Sequence, residues 1–131
     1  LQQVTTFMNI NRNIQLKPIS VGSSIELNIR FDANSDYLAP ESVAELNRLL
    51  RQVRNNPTVR LEIQGHCDDL EAIQKPDIGR DRAGAIAKYL IENGFSNVEV
   101  KDMKNEVPIT ANDTEEGRAR NRRIDVVVLR R

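Results

Sequence analysis

Ile25, Leu27, Ile29 and Phe31 alternate with Glu26, Asn28 and Arg30, the period of a half-buried strand. Asp32-Ala33-Asn34-Ser35-Asp36 closes this run as a polar loop. Pro40 suits the first position of a helix, and Val43, Leu46, Leu50 and Val53 then recur at helical spacing, with Leu49 widening the stripe. That predicts one amphipathic helix from Pro40 to about Asn55-Asn56-Pro57. Val59, Leu61 and Ile63 alternate with Arg60, Glu62 and Gln64 in a second strand, stopped by Gly65. The stretch from His66 to Lys75 reads as polar and irregular. Asp77 is placed to cap a second helix from Ile78 to Asn93, with Gly94 as its left-handed stop. On that helix Ala83, Ile86, Ala87 and Leu90 share a face, Asp81, Lys88 and Glu92 lie opposite, and Arg82 falls at the border. Val98 and Val100 suggest a short third strand, followed by a loop through Pro108 to Gly117. The last strand, Ile124 to Leu129, is apolar on both faces and is therefore expected in the centre of the sheet.

The order β-α-β-α-β-β predicts an α+β domain over residues 21–131, with two helices packed on one face of a small mixed β-sheet. Residues 1–20, rich in Gln and Asn, read as a linker or edge segment. A chain that begins at Leu1 fits a mature or excised domain.

Composition narrows the function classes. With 131 residues the chain suits one domain with a core that needs no staples. Nineteen basic and 19 acidic side chains cancel, so no global field draws in DNA or an anionic membrane. A single cysteine excludes an internal disulfide framework and a multi-thiolate zinc site. No apolar run approaches the roughly 20 residues of a membrane span.

Three groups of residues could carry chemistry. His66 and Cys67 are adjacent at a strand end and point to opposite faces, which argues against a nucleophile–base pair. No second His or Cys is present to complete a metal site, so no catalytic residue, metal or cofactor is expected. Cys67 reads as a small filler, and His66 as a residue that packs against or hydrogen-bonds the following loop. Arg118, Arg120, Arg122, Arg123, Arg130 and Arg131 form a basic tail opposed only by Asp125. The balanced overall charge and the scarcity of aromatic platforms argue against nucleic acid as its partner.

The third group is Asp68, just past a strand end, and Arg82, about one turn into the next helix. In a β-loop-α unit both lie at the same end of the sheet. A carboxylate and a guanidinium held side by side and partly unsatisfied suit a zwitterion such as an amino acid: the carboxylate takes the ammonium and the guanidinium takes the ligand carboxylate. The alternatives are that Asp68 and Arg82 pair with each other, or that Asp68 only caps the loop.

Four motifs occur in order: Phe31-Asp32 after a strand, Gly65-His66-Cys67-Asp68, Ile78-Gly79-Arg80-Asp81-Arg82-Ala83, and Gly117-Arg118-Ala119-Arg120-Asn121-Arg122-Arg123. Together, from about Ser24 to Leu129, they resemble the OmpA-like, peptidoglycan-binding C-terminal domain family, which includes the peptidoglycan-associated lipoprotein and the flagellar stator anchors. The lead-in Val21-Gly22-Ser23-Ser24-Ile25 is similar to that of members from the Bacteroidetes group. The resemblance implies a β-α-β-α-β-β sandwich in the periplasm, tethered to the outer membrane through upstream segments. It implies non-catalytic binding of the meso-diaminopimelate stem peptide of peptidoglycan, anchoring an outer-membrane-associated protein or complex, with outer-membrane or secretion-complex proteins as further partners. By that resemblance Asp68 takes the ligand ammonium and Arg82 its carboxylate, while Phe31, Asp32 and Ile78 line the groove. Arg122 and Arg123 match the closing Asn-Arg-Arg, where at least one arginine braces the site.

The chain departs from the family pattern after Gly65-His66. Cys67 stands where threonine is usual, Asp69-Leu70-Glu71-Ala72 lacks the family's glycine, and Lys75 replaces an asparagine in a loop one residue short. These changes imply a second reading: the fold is kept, ligand binding is weakened or lost, and the domain serves as a protein–protein module in an envelope or secretion assembly.

Overall fold

A computed structural model of the chain describes residues 21–25 and 27–130. Residues 1–20, expected to form a linker or edge segment, lie outside the described residues. The described residues form β1 (Ser24–Ile25), α1 (Pro40–Arg54), β2 (Arg60–His66), α2 (Asp69–Gln74), α3 (Ile78–Glu92), β3 (Val98–Lys104), α4 (Glu115–Asn121) and β4 (Ile124–Arg130). The four strands make one mixed sheet in the order β1-β4-β2-β3. β4 runs antiparallel to both its neighbours, and β2 runs parallel to the edge strand β3. The α+β architecture is the expected one, with two short helices added.

One face of the sheet buries the apolar stripes of the two long helices. Leu61 and Ile63 of β2 and Ile124, Val126 and Val128 of β4 pack with Leu46, Leu49, Leu50 and Val53 of α1 and with Ala83, Ile86 and Leu90 of α3. β4 is central, as its apolar character predicts, although Val127 and Leu129 on its second face are only half-buried. Pro40 opens α1, and Gly94, at φ +95°, follows α3 in the left-handed conformation that glycine adopts without strain. Asp77 precedes α3 but makes no side-chain cap; its carboxylate instead lies 3.3 Å from Arg80.

The strand expected over Ile25 to Phe31 is mostly an extended segment. Leu27, Ile29 and Phe31 keep the alternating burial, yet only Ser24–Ile25 and an isolated Arg30–Arg123 bridge pair with β4 or its approach. The Asn28 N–H donates to the Glu45 carboxylate of α1 at 2.9 Å, so a side chain takes the place of a ladder partner.

Two stretches expected to be irregular hold helices of six and seven residues. α2 starts with Asp68 and Glu71 as a reciprocal capping box, and α4 starts with the Thr114 hydroxyl accepting from the Gly117 N–H at 3.0 Å. Elements this short hold too few residues to display a 3.6 period. β3 also outruns its expected length, pairing with β2 in register from Val98 to Asp102 and, past a bulge, again at Lys104.

The approach of α3 to β2 fixes where Arg82 sits. A Cβ on Gly65 would lie 1.8 Å from the Gly79 carbonyl oxygen, so the first turn of α3 can touch the end of β2 only because both residues are glycine. Gly65→Ala is therefore expected to lower unfolding free energy by about 3 kcal/mol, since backbone has to move to admit the methyl group. Gly84→Ala, on the same helix with nothing within 4 Å of the new Cβ, is expected to raise it by about 0.5–1 kcal/mol. Urea denaturation of the two variants beside the wild type checks both signs.

Candidate functional site

At the end of β2 the chain turns into α2, and α3 follows after a three-residue connection, so His66, Asp68, Glu71 and Arg82 converge. Arg82 has no exposed surface. All five of its N–H donors are used: Nε to the Ser35 carbonyl (2.8 Å), Nη1 to the His66 carbonyl (3.1 Å) and Glu71 Oε1 (2.8 Å), Nη2 to the Asp32 carbonyl (3.1 Å) and Glu71 Oε2 (2.5 Å). The guanidinium also lies 4.9 Å from the centroid of the buried Phe31 ring, within cation–π range.

Glu71 is the partner that makes this burial tolerable. Its carboxylate takes the arginine fork bidentately and also accepts from the Asn34 N–H (2.6 Å) and the Asp68 N–H (3.2 Å). Asp68 is likewise buried, at 1 % exposure. One of its oxygens accepts from the Glu71 N–H at 2.7 Å and the other from Arg122 Nη1 at 2.9 Å. Arg122 completes its own set with the Phe31 carbonyl (2.9 Å) and the Glu115 carboxylate (2.7 Å). Bonding to Arg122 holds the exposed Glu115 carboxyl below its ordinary pKa.

The expected site residues are thus brought to one place, with a different pairing from either alternative. Asp68 and Arg82 do not bond to each other: Asp68 caps α2 and pairs with Arg122, while Arg82 pairs with Glu71. Neither is left partly unsatisfied. Phe31 and Ile78 are buried, and Asp32 is exposed, its carbonyl held by Arg82. Arg122 braces Asp68. Lys75 reaches across to the Asn34 carbonyl at 3.0 Å, stitching the end of α2 to the loop that follows Phe31. Asn34 is in the left-handed region at φ 59°, which asparagine tolerates.

Sequence reasoning overlooked Glu71 as the fork's occupant. Asp68-Asp69-Leu70-Glu71 does carry the signal, because an acidic N-cap followed three positions later by Glu is the capping-box pattern. The basic tail is also less available than its composition implies: Arg122 and Arg123 are buried, and Arg118 bonds the Asn112 carbonyl and pairs with Glu115.

His66 and Cys67 sit beside this network. The His66 ring turns to the neighbouring strand rather than to the following loop, with Nε2 3.0 Å from Asp125 Oδ2. His66 beside it, aided by Arg123, holds the Asp125 carboxyl below its ordinary value against the effect of burial. Among the described residues no group of three or more His, Cys, Asp or Glu side chains could hold a metal ion. No helix among them is long and apolar enough to cross a membrane.

The model of the OmpA family matches residues 30–122 of the chain, which include every residue of this network. A peptidoglycan-binding protein of Mycobacterium tuberculosis, ArfA, is 33 % identical over 104 residues, covering 76 % of the chain and 32 % of that relative. The chain therefore spans about a third of the length of this relative. Among solved structures, the peptidoglycan-associated lipoprotein of Burkholderia pseudomallei is similar, with a TM-score of 0.72 and 24 % identity over 79 % of this chain and 90 % of that one. The cell wall anchor of the T6SS from Pseudomonas aeruginosa gives a TM-score of 0.62 at 24 % identity, over 75 % and 73 % of the two chains. These two structures share the fold.

Burial, with the neighbouring Glu71 carboxylate, pushes the Cys67 thiol up to about 11. At pH 8 the native thiol is accordingly protonated and enclosed. A disulfide reagent is expected to label it at pH 8 only as fast as the protein opens, and at full speed in denaturant. Stoichiometric labelling of the native protein within seconds would contradict this burial.

Proposed function

Because the chain belongs to the OmpA family, we propose that this domain binds peptidoglycan non-covalently and without catalysis, and so anchors a larger envelope protein or complex to the cell wall. The observation that carries the reading is the family match over residues 30–122, joined to the clustering of Asp68, Arg82 and Arg122 at one end of the sheet. The relatives named for peptidoglycan binding and cell wall anchoring support it. In this reading the ligand is the meso-diaminopimelate end of a stem peptide, a zwitterion: Asp68 takes the ammonium, Arg82 the carboxylate, and Phe31, Asp32 and Ile78 shape the groove, with Arg122 holding Asp68. The domain works in the periplasm, tethered to the outer membrane through upstream segments. The Bacteroidetes-type origin belongs to this proposal and rests on Val21 to Ile25 alone, since the relatives above come from Mycobacterium, Burkholderia and Pseudomonas.

Two or three charge-assisted hydrogen bonds, each worth about 1.5–3 kcal/mol, fit micromolar-to-millimolar affinity at one site once ordering costs are subtracted. An anchor tolerates that, because many copies on one polymeric wall bind by avidity.

A second reading is favoured by one observation: the guanidinium fork is already filled by Glu71. There the domain has lost its ligand and serves as a protein–protein module in an envelope or secretion assembly.

Co-sedimentation with purified diaminopimelate-type peptidoglycan separates the two. The wild type is expected to pellet with the sacculi and to be released by a diaminopimelate-containing tripeptide. Asp68→Asn keeps a side chain that caps as well as aspartate but removes the charge that would hold an ammonium and that pairs with Arg122, so retention is expected to fall about tenfold or more while circular dichroism shows a domain still folded at the assay temperature, with a lower thermal midpoint. Folded wild-type protein that stays in the supernatant would favour the module.

A further inference from the structure

Resting on the peptidoglycan-binding reading above, we infer that Glu71 occupies a carboxylate-binding subsite from within the chain and competes there with the carboxylate of a ligand. Four donors converge on this one carboxylate: two N–H groups of the Arg82 fork and the backbone N–H groups of Asn34 and Asp68. A planar fork with two convergent backbone donors is what a ligand carboxylate needs, and nothing in the set is particular to a glutamate side chain. Arg82 cannot shed its charge, so the fork must hold an anion at all times. The chain supplies one.

The element carrying Glu71 is the one suited to withdraw it. α2 has six residues, far below the length at which a helix stands by itself in water. Its outer side is largely unpacked, with Leu70 45 % and Ile73 81 % exposed. It is tied down at its start by the Asp68–Glu71 capping box and the Glu71–Arg82 pair, and just past its end by the Lys75 bond to Asn34. Exchange of Glu71 for a ligand carboxylate preserves the number and kind of hydrogen bonds at Arg82, and only the outer segment has to move. The cost appears as affinity: a ligand sees the subsite only in the fraction of molecules in which Glu71 has left it, and its apparent dissociation constant rises by the inverse of that fraction. If Glu71 is out in a tenth of the molecules or fewer, its removal tightens ligand binding about tenfold or more.

Glu71→Ala in the full chain tests this with two probes. Acetate, compared with chloride at equal ionic strength, is expected to raise the thermal midpoint of Glu71→Ala by about 2 °C or more at 100 mM and to leave the wild type unmoved, because the vacated fork takes the free carboxylate. In calorimetry, a diaminopimelate-containing tripeptide is expected to bind Glu71→Ala about tenfold or more tightly than it binds the wild type. Glu71→Ser, which likewise empties the fork, carries both readouts if the alanine variant fails to fold. Acetate that stabilises the folded variant no more than chloride overturns the inference, whatever the tripeptide does. Where the wild type binds tripeptide, equal or weaker binding by the folded variant overturns it as well. If acetate stabilises the variant while no chain binds tripeptide, the Glu71-occupied subsite stands and the diaminopimelate reading fails.

Discussion

Arg82 is a permanent cation without exposed surface, and a charge of that kind is tolerated only when every donor is met and an anion lies against it. Most of the architecture at this end of the sheet follows from meeting that requirement. The fork has to face a carboxylate, and Glu71 provides it. Nε and the remaining Nη donors need carbonyl oxygens, and the loop after Phe31 and the end of β2 bring them from Ser35, Asp32 and His66. α3 has to stand close enough to β2 for these bonds to form, which demands Gly65 opposite Gly79.

A second charge system is coupled to the first through the capping box. Asp68 accepts from the Glu71 N–H while Glu71 accepts from the Asp68 N–H, so the Arg122–Asp68 pair and the Arg82–Glu71 pair share the start of α2. Arg122 extends the system to Glu115 on α4 and to the Phe31 carbonyl. Buried pairs of this sort contribute less to net stability than to geometry, since desolvation offsets much of their attraction. What they contribute here is placement: Asp68 and Arg82 are held at fixed positions at the same end of the sheet, with the Glu71 carboxylate standing in the arginine's fork.

The periodic parts of the sequence were legible because they are long. Leu46 to Val53 and Ala83 to Leu90 lie on the faces their spacing indicates, and the apolar run from Ile124 placed β4 in the middle of the sheet. α2 and α4 escaped because helices of six and seven residues are set by caps rather than by a stripe. The Ile25–Phe31 run has strand periodicity but loses its ladder partner to Glu45, a contact between remote positions that no local pattern reports. At the site, the strand-end and helix-start positions were enough to bring Asp68 and Arg82 together. They could not show which acid Arg82 would choose, because Glu71 and Asp68 are three residues apart and only the turn between them decides which one faces the fork. The balance of 19 basic and 19 acidic groups is realised in part as internal pairs, which is why the basic tail is not an open patch.

Arg82 and Glu71 hold each other in place, and this end of the sheet is built on that pair. A double-mutant cycle on Arg82→Ala and Glu71→Ala, read by urea denaturation, measures that mutual dependence. Each single change leaves an unpaired buried charge and is expected to cost about 3–5 kcal/mol, while the double variant costs far less than their sum, a coupling of about 2 kcal/mol or more. Additive losses, agreeing within about 0.5 kcal/mol, would mean that the two side chains act independently and that the pair does not organise this end of the sheet.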